Sequence, residues 1–161
     1  MTPDLSTLLK LWDTAVWEFS LVFEDLSDED VWRSPQAGVP SVGVQACHLA
    51  RSENSSFGQS VESPLDIDGM GYFPYDPKAP LPIHLAAAEV FAEYERVHKA
   101  AIAWIHARGF ALSDPYENPK FENHEGMTWG DRIEYMPFHV AYHTGQAYMA
   151  RHIMGHDTTE N

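Results

Sequence analysis

Apolar residues recur at intervals of three and four along four long segments of the sequence, which is the pattern of amphipathic helices. The clearest series lies near the C-terminus and consists of Ile133, Met136, Val140, His143, Ala147, Ala150 and Met154. No segment shows the alternation of apolar and polar residues that marks a half-buried strand. We therefore predict an all-α fold, a four-helix bundle whose apolar faces pack around one core.

Capping residues predict the bounds of the first helix and of a short turn after it. Thr2 is a suitable N-cap and Pro3 a suitable first helical residue, because proline lacks the N–H that this position leaves unbonded. The apolar series of this helix reaches Leu26. The acidic residues that follow Ser27 resemble a capping box, which predicts a helical turn through Trp32.

Similar signals delimit the other three helices. Ser41 is the expected N-cap of the second helix, and Gly109 is expected to end the third in a left-handed conformation. The expected ranges are about Val42–Ser60, about Ile83–Arg108, and from a capping box at Thr128 to Gly155.

Two long irregular connections separate the helices. Residues 62–82 contain five prolines and two glycines, and residues 110–127 form the other connection. Connections of about twenty residues without regular structure are uncommon in compact domains and are often functional. The first also contains large apolar side chains, so we expect it to pack against the bundle; these are Met70, Tyr72, Phe73 and Tyr75.

Length and composition favour one cytoplasmic domain. The 161 residues suffice to bury a core, and we predict a single domain over residues 1–161. The one cysteine, Cys47, excludes an intramolecular disulfide and fits a reducing compartment. We find no secretory signal and no apolar run of the roughly 20 residues that span a bilayer.

The charge balance excludes some partners. The chain has 24 acidic and 10 basic residues, a formal net charge of −14, and no run of lysine and arginine. Nucleic acids and anionic membranes require basic patches. We therefore expect neither as a partner, and interpret the acidity as a solubility feature.

Histidines at a spacing of four occur twice near the C-terminus, at His139/His143 and at His152/His156. With nine histidines in the chain, about half such a pair is expected by chance, so the spacing alone is weak evidence for a metal site. The two pairs differ in helix phase, that is, in the side of the helix on which they lie. His143 belongs to the apolar series and His139 lies at its edge, whereas the second pair lies on the solvent side or beyond the helix end.

Two imidazoles that point into a bundle need a common partner, and a metal ion bound by neutral imidazole is one. A third ligand would come from a facing helix, where His48 lies among small and apolar residues. Spacing and phase leave two interpretations open for His48, His139 and His143: a metal site, or core histidines with hydrogen-bond partners.

Several other residues are weaker candidates for a functional role. We expect Cys47 to be a small buried hydrophobe. Arg51 and Glu53 lie within about a turn of His48 and could reach the mouth of a site, but a solvated helix face is the position that we expect for both. Gln146 could lie beside a bound ligand or at a polar helix boundary. His98 and His106 are expected to face solvent or to be hydrogen-bonded. No general acid or base can be assigned, and the candidates are His84, His124, Tyr72 and Glu53.

The order of these motifs resembles that of the DinB/YfiT-like superfamily over nearly the whole chain. The matching stretches are "LSDEDVWRSP", the His48 segment "SVGVQACHLARSEN" and the terminal "TWGDRIEYMPFHVAYHTGQAYMARHIMG". The resemblance implies a four-helix bundle with one unusual connection. It also implies that His48, His139 and His143 bind a divalent metal ion.

Enzymes with this fold include metal-dependent S-transferases and isomerases that use mycothiol, bacillithiol or glutathione-like thiols. The resemblance thus implies a metal-dependent thiol S-transferase or isomerase that acts on a small molecule with a low-molecular-weight thiol. Three imidazoles suit zinc, nickel, iron(II) or cobalt and leave a coordination position open, and zinc or nickel is the expected ion. The alternative is a non-catalytic metal-binding stress-response protein. Spare apolar surface would also allow a homodimer.

Overall fold

The computed structural model describes residues 4–57, 61–66, 85–117 and 126–157. Four helices account for most of these residues: α1 (Leu5–Leu21), α2 (Val42–Ser56), α3 (Ala87–Arg108) and α4 (Trp129–Ile153). The described residues contain no β-strand, only one bridge that pairs Pro115 with Thr128. The predicted all-α four-helix bundle is therefore confirmed.

The helices share one hydrophobic core. α1 packs mainly against α4, while α2 packs against α3 and α4, so α4 lies between α1 and α2. The largest fully buried side chains come from several parts of the bundle and include Trp12, Phe19, Leu49, Phe57, Tyr94, Ile133 and Met136. Within the described ranges, no helix has both the length and the apolar character needed to cross a membrane.

Three predicted caps are confirmed. The side chain of Ser41 accepts a hydrogen bond from the Val44 N–H, and that of Thr128 accepts one from Asp131. These bonds satisfy N–H groups that a helix start leaves without a partner. Gly109 ends α3 with φ +64°, the left-handed conformation that glycine adopts without steric cost.

Gly155 follows the C-cap of α4 with φ +87° and so ends that helix as predicted, whereas four other helix ends differ from the predictions. α1 begins at Leu5 because the Asp4 carboxylate caps it, accepting from the Thr7 N–H at 2.8 Å. It ends at Leu21, before turns in which Asp25 adopts φ +55°. α2 ends at Ser56 and α3 begins at Ala87. Thr2, Pro3, Ser60 and Ile83 lie outside the described residues.

Hydrogen bonds and close packing hold the segment between α1 and α2 against the bundle. The predicted turn after Ser27 forms, and the Ser27 hydroxyl accepts a hydrogen bond from the Asp30 N–H at 3.0 Å. The indole N–H of Trp32 donates to the Leu85 carbonyl at 2.8 Å. Gly43 permits this packing, because a Cβ there would lie 2.5 Å from the Trp32 ring. The segment before α2 is thereby fixed, and with it the start of the helix that carries His48.

Candidate metal centre

The structure brings His48, His139 and His143 together between α2 and α4. The Nε2 atoms of His48 and His139 are 3.0 Å apart, and one ring nitrogen from each histidine lies within 4.8 Å of the others. The ring centroids are 4.6 to 5.0 Å apart. Within the described ranges, no other three histidine, cysteine or acidic side chains group in this way.

Helix phase explains why these three side chains meet. On α4, His139 and His143 are one turn apart and lie beside the buried Met136 and Val140. On α2, His48 lies at the edge of a face that is almost entirely buried. His143 is 3% exposed and His139 is 7% exposed. The histidines therefore occupy the border between core and solvent, where a ligand can reach them.

Burial keeps the two α4 imidazoles neutral. Burial, followed by the proximity of the other histidines, lowers the pKa of His139 to about 3. Burial and the proximity of His48 lower the pKa of His143 to about 4, an effect opposed by the nearby Gln146 amide. Neutral imidazole is the form that binds metal ions, since a ring nitrogen must offer its lone pair.

The donor set fits a divalent metal ion. In a tetrahedral zinc site with Zn–N bonds of about 2.0–2.1 Å, neighbouring nitrogens are about 3.3 Å apart. The Nε2 atoms of His48 and His139 are close to this separation at 3.0 Å, and the three ligand nitrogens all lie within 4.8 Å of one another.

A cleft of about 300 Å³ opens at the histidines. Its other described walls are three aromatic residues of α4: Tyr135, Phe138 and Tyr142. Gln146 donates a hydrogen bond from Nε2 to the Tyr142 hydroxyl at 3.0 Å. It thus lies beside the cleft, as one of its two predicted roles requires.

The remaining sequence candidates are dispersed. His152 is exposed as predicted, but His156 is partly buried and contacts Asp30 at 3.1 Å. This difference arises because Gly155, at φ +87°, turns the chain back towards the segment before α2. His106 is exposed. Three candidate acid or base residues lie outside the described residues: Tyr72, His84 and His124.

Cys47 is buried as predicted. It is 0% exposed, and burial raises the pKa of its thiol to about 12. The thiol therefore stays protonated at neutral pH, which excludes it as a thiolate ligand or nucleophile. Arg51, predicted on a solvated face, is partly buried and pairs with Asp66 at 3.0 Å.

The prediction for Glu53 is wrong, because this carboxylate is fully buried. It accepts a hydrogen bond from the Tyr94 hydroxyl at 2.7 Å and lies 3.2 Å from Nδ1 of His98. The other ring nitrogen of His98 is 2.9 Å from Asp13. Three helices thus contribute to one polar network outside the cluster of His48, His139 and His143. A sequence signal exists, since Leu49 and Phe57 flank Glu53 at a spacing of four.

His98, one of the residues expected to be either exposed or hydrogen-bonded, is buried and hydrogen-bonded. Burial alone would lower the pKa of His98, but the hydrogen bonds and charges of Glu53 and Asp13 outweigh it and raise that pKa above 6.5. Both ring nitrogens face a carboxylate oxygen, the arrangement that favours the doubly protonated ring.

We expect His98 to stabilise the fold fully below about pH 6.5, and less as the pH rises through its raised pKa. The folded state retains this proton to higher pH than the unfolded state, so raising the pH favours unfolding. Urea unfolding from about pH 6 to about pH 9 should show a stability difference between wild type and His98→Gln that shrinks with pH. A difference that is constant over this range would contradict the assignment.

The comparisons with known proteins agree with the fold. The family model of the DinB superfamily matches residues 12–147. The matched range includes His48, His139 and His143, and it extends from α1 into α4. Neither a search of curated proteins nor a search of solved structures found a match. By this match over most of its length and by its four-helix bundle, the chain belongs to the DinB superfamily.

Proposed function

We propose that His48, His139 and His143 bind one divalent metal ion, with zinc or nickel as the expected ion. The observation that carries this proposal is the convergence of three imidazole nitrogens within 4.8 Å of one another. The lowered pKa values of His139 and His143 support it, because neither ring must lose a proton to bind metal at neutral pH.

We further propose that the metal-loaded protein is a thiol S-transferase. A metal ion with three protein ligands retains an open position, and there it supplies the positive charge that favours the thiolate form of a bound thiol. The neutral imidazoles leave that charge uncompensated, which strengthens this effect. The reaction would form a bond between the sulfur of a low-molecular-weight thiol and an electrophilic carbon of a small molecule, with the thiol proton passing to water and the leaving group of that carbon, such as chloride, departing with its bonding electrons.

The burial of Cys47 supports an external thiol. Cys47 is the only cysteine of the chain, and its side chain is inaccessible. Because burial also raises the pKa of this thiol to about 12, the protein has no thiolate of its own at neutral pH. The proposed reaction would therefore take its nucleophilic sulfur from a small molecule that enters the cleft.

Conjugation of thiols to monochlorobimane tests this function. Zinc-loaded and nickel-loaded protein should accelerate the conjugation of at least one thiol among glutathione, cysteine, bacillithiol and mycothiol. With metal-stripped protein or with His48→Ala, the rate acceleration should be at least about 100-fold smaller than with metal-loaded wild type. His152→Ala is the matched control, because His152 is an exposed histidine of α4, and it should retain full activity.

Two outcomes would contradict the proposal in different ways. Equal conjugation by metal-loaded and metal-stripped protein would show that the metal ion has no part in the reaction. Stoichiometric metal binding without conjugation of any thiol would contradict the transferase activity and support the alternative, a non-catalytic metal-binding protein.

A further inference from the structure

Three aromatic side chains of α4 form an exposed wall beside the histidines, and we refer to Tyr135, Phe138 and Tyr142 as the aromatic wall. Their exposed fractions are 43%, 66% and 55%. All three line the same cleft as His48, His139 and His143. Exposed aromatic rings that cluster at a concave site are typical of ligand binding rather than of an ordinary helix surface.

Contacts with buried residues hold Tyr135 in place. Its ring lies nearly parallel to that of His139, with an interplanar angle of 20° and centroids 5.4 Å apart. The guanidinium carbon of Arg132 lies 5.3 Å from the same ring centroid. Arg132 is itself buried and donates a hydrogen bond to the hydroxyl of Ser56. One side of the aromatic wall is therefore fixed to the bundle.

Tyr142 is held in a similar way at the other side. Its ring meets His143 edge-on, with centroids 5.1 Å apart and an interplanar angle of 83°. Its hydroxyl accepts the hydrogen bond from Gln146. Phe138 lies between the two tyrosines in the sequence and has a centroid 6.0 Å from that of Tyr135. Two anchored rings and one highly exposed ring make a preformed apolar surface.

The chemistry of the lining indicates what this surface binds. None of the described residues that line the cleft carries an acidic, lysine or arginine side chain. Rings favour offset or edge-on contacts with other rings, and the cleft volume suits a small group. We propose that the aromatic wall binds an aromatic, uncharged group of the substrate that reacts at the metal centre. This inference rests on the proposed function and specifies its substrate class.

Thiol binding to cobalt-substituted protein tests the inference without turnover, because thiolate ligation to Co²⁺ is visible in the absorption spectrum. Benzyl mercaptan should bind at least about tenfold more tightly than ethanethiol, since its ring contacts the aromatic wall. Phe138→Ala and Tyr142→Ala should each reduce this ratio several-fold. The two thiols differ in acidity, but this difference is the same for every variant and therefore cancels when the ratios of the variants are compared.

Trp17→Ala is the matched control, because Trp17 is an exposed aromatic residue of α1 that does not line the cleft. It should leave the ratio unchanged. A ratio that is the same in wild type, Phe138→Ala and Tyr142→Ala would overturn the inference. So would light scattering that shows a wild-type dimer dissociated by Phe138→Ala, because a second copy of the chain would then cover the aromatic wall.

Failure of the metal site would be recognised separately. If the protein acquires no cobalt spectrum, the proposed function fails, and the aromatic wall is then tested in metal-free protein with benzyl alcohol by saturation-transfer NMR. Wild type and Trp17→Ala should transfer saturation to the ring protons, and Phe138→Ala should transfer several-fold less. Equal transfer in all three proteins would overturn the inference independently of the metal.

Discussion

Replacing Glu53 with alanine is expected to lower the free energy of unfolding by about 3–5 kcal/mol, the cost typical of breaking a buried charged network. The change removes the acceptor of the Tyr94 hydroxyl, which is fully buried, and one of the two carboxylates that face His98. The Tyr94 hydroxyl and the His98 nitrogen that faced Glu53 are too buried to form a hydrogen bond with bulk water instead. Most of the free-energy cost of their desolvation therefore remains uncompensated. Alanine favours helices, and thus the loss cannot be attributed to helix propensity.

Urea unfolding at neutral pH measures this loss against two further variants. Glu53→Gln keeps a hydrogen-bond acceptor but removes the charge, so we expect a smaller loss of about 1–3 kcal/mol. Glu134→Ala removes an exposed carboxylate of α4 and should change stability by less than about 0.5 kcal/mol. If Glu53→Ala unfolds within about 1 kcal/mol of wild type, the network does not stabilise the bundle as described.

The fold could be predicted from sequence because a bundle depends on local patterns. Ser41 and Thr128 are helix caps whose role requires only a neighbouring backbone N–H. Gly109 has the left-handed conformation that its position after an apolar series predicts. The distinction between His143 and His152 also follows from phase within one helix. Each of these inferences needs no knowledge of which helices are neighbours.

Glu53 shows where such reasoning fails. Its partners Tyr94 and His98 lie on another helix, and only the packing of α2 against α3 brings them within hydrogen-bonding distance. A charged residue with apolar neighbours one turn away on either side can be a solvated residue or a buried one with partners. The sequence contains the apolar neighbours but not the partners' positions.

The aromatic wall was missed for a related reason. The buried apolar series of α4 does not include Tyr135, Phe138 or Tyr142. Periodicity therefore predicts that these side chains are exposed, but it predicts no function for them. Their significance depends on the cleft that they share with His48, which is contributed by α2. Sequence reasoning identified the three histidines because they share a chemistry that needs partners, whereas exposed aromatic rings have no such requirement.

Replacing His143 with alanine is expected to weaken metal binding by at least about 100-fold. Changes to groups that only orient a ligand already cost about 10–100-fold, and removal of a ligand costs more. The metal should also stabilise the folded protein, because the unfolded chain does not hold the three histidines together. Added zinc is therefore expected to raise the midpoint of thermal unfolding of wild type and to leave that of His143→Ala nearly unchanged.

The metal content of purified protein, measured by elemental analysis after equilibration with zinc and removal of excess ion, tests the central claim most directly. Wild type and His152→Ala should retain close to one zinc per chain, because His152 lies on the exposed face of α4. His48→Ala, His139→Ala and His143→Ala should retain little or none. Near-stoichiometric zinc in any of these three variants, or none in wild type, would contradict a metal centre built from His48, His139 and His143.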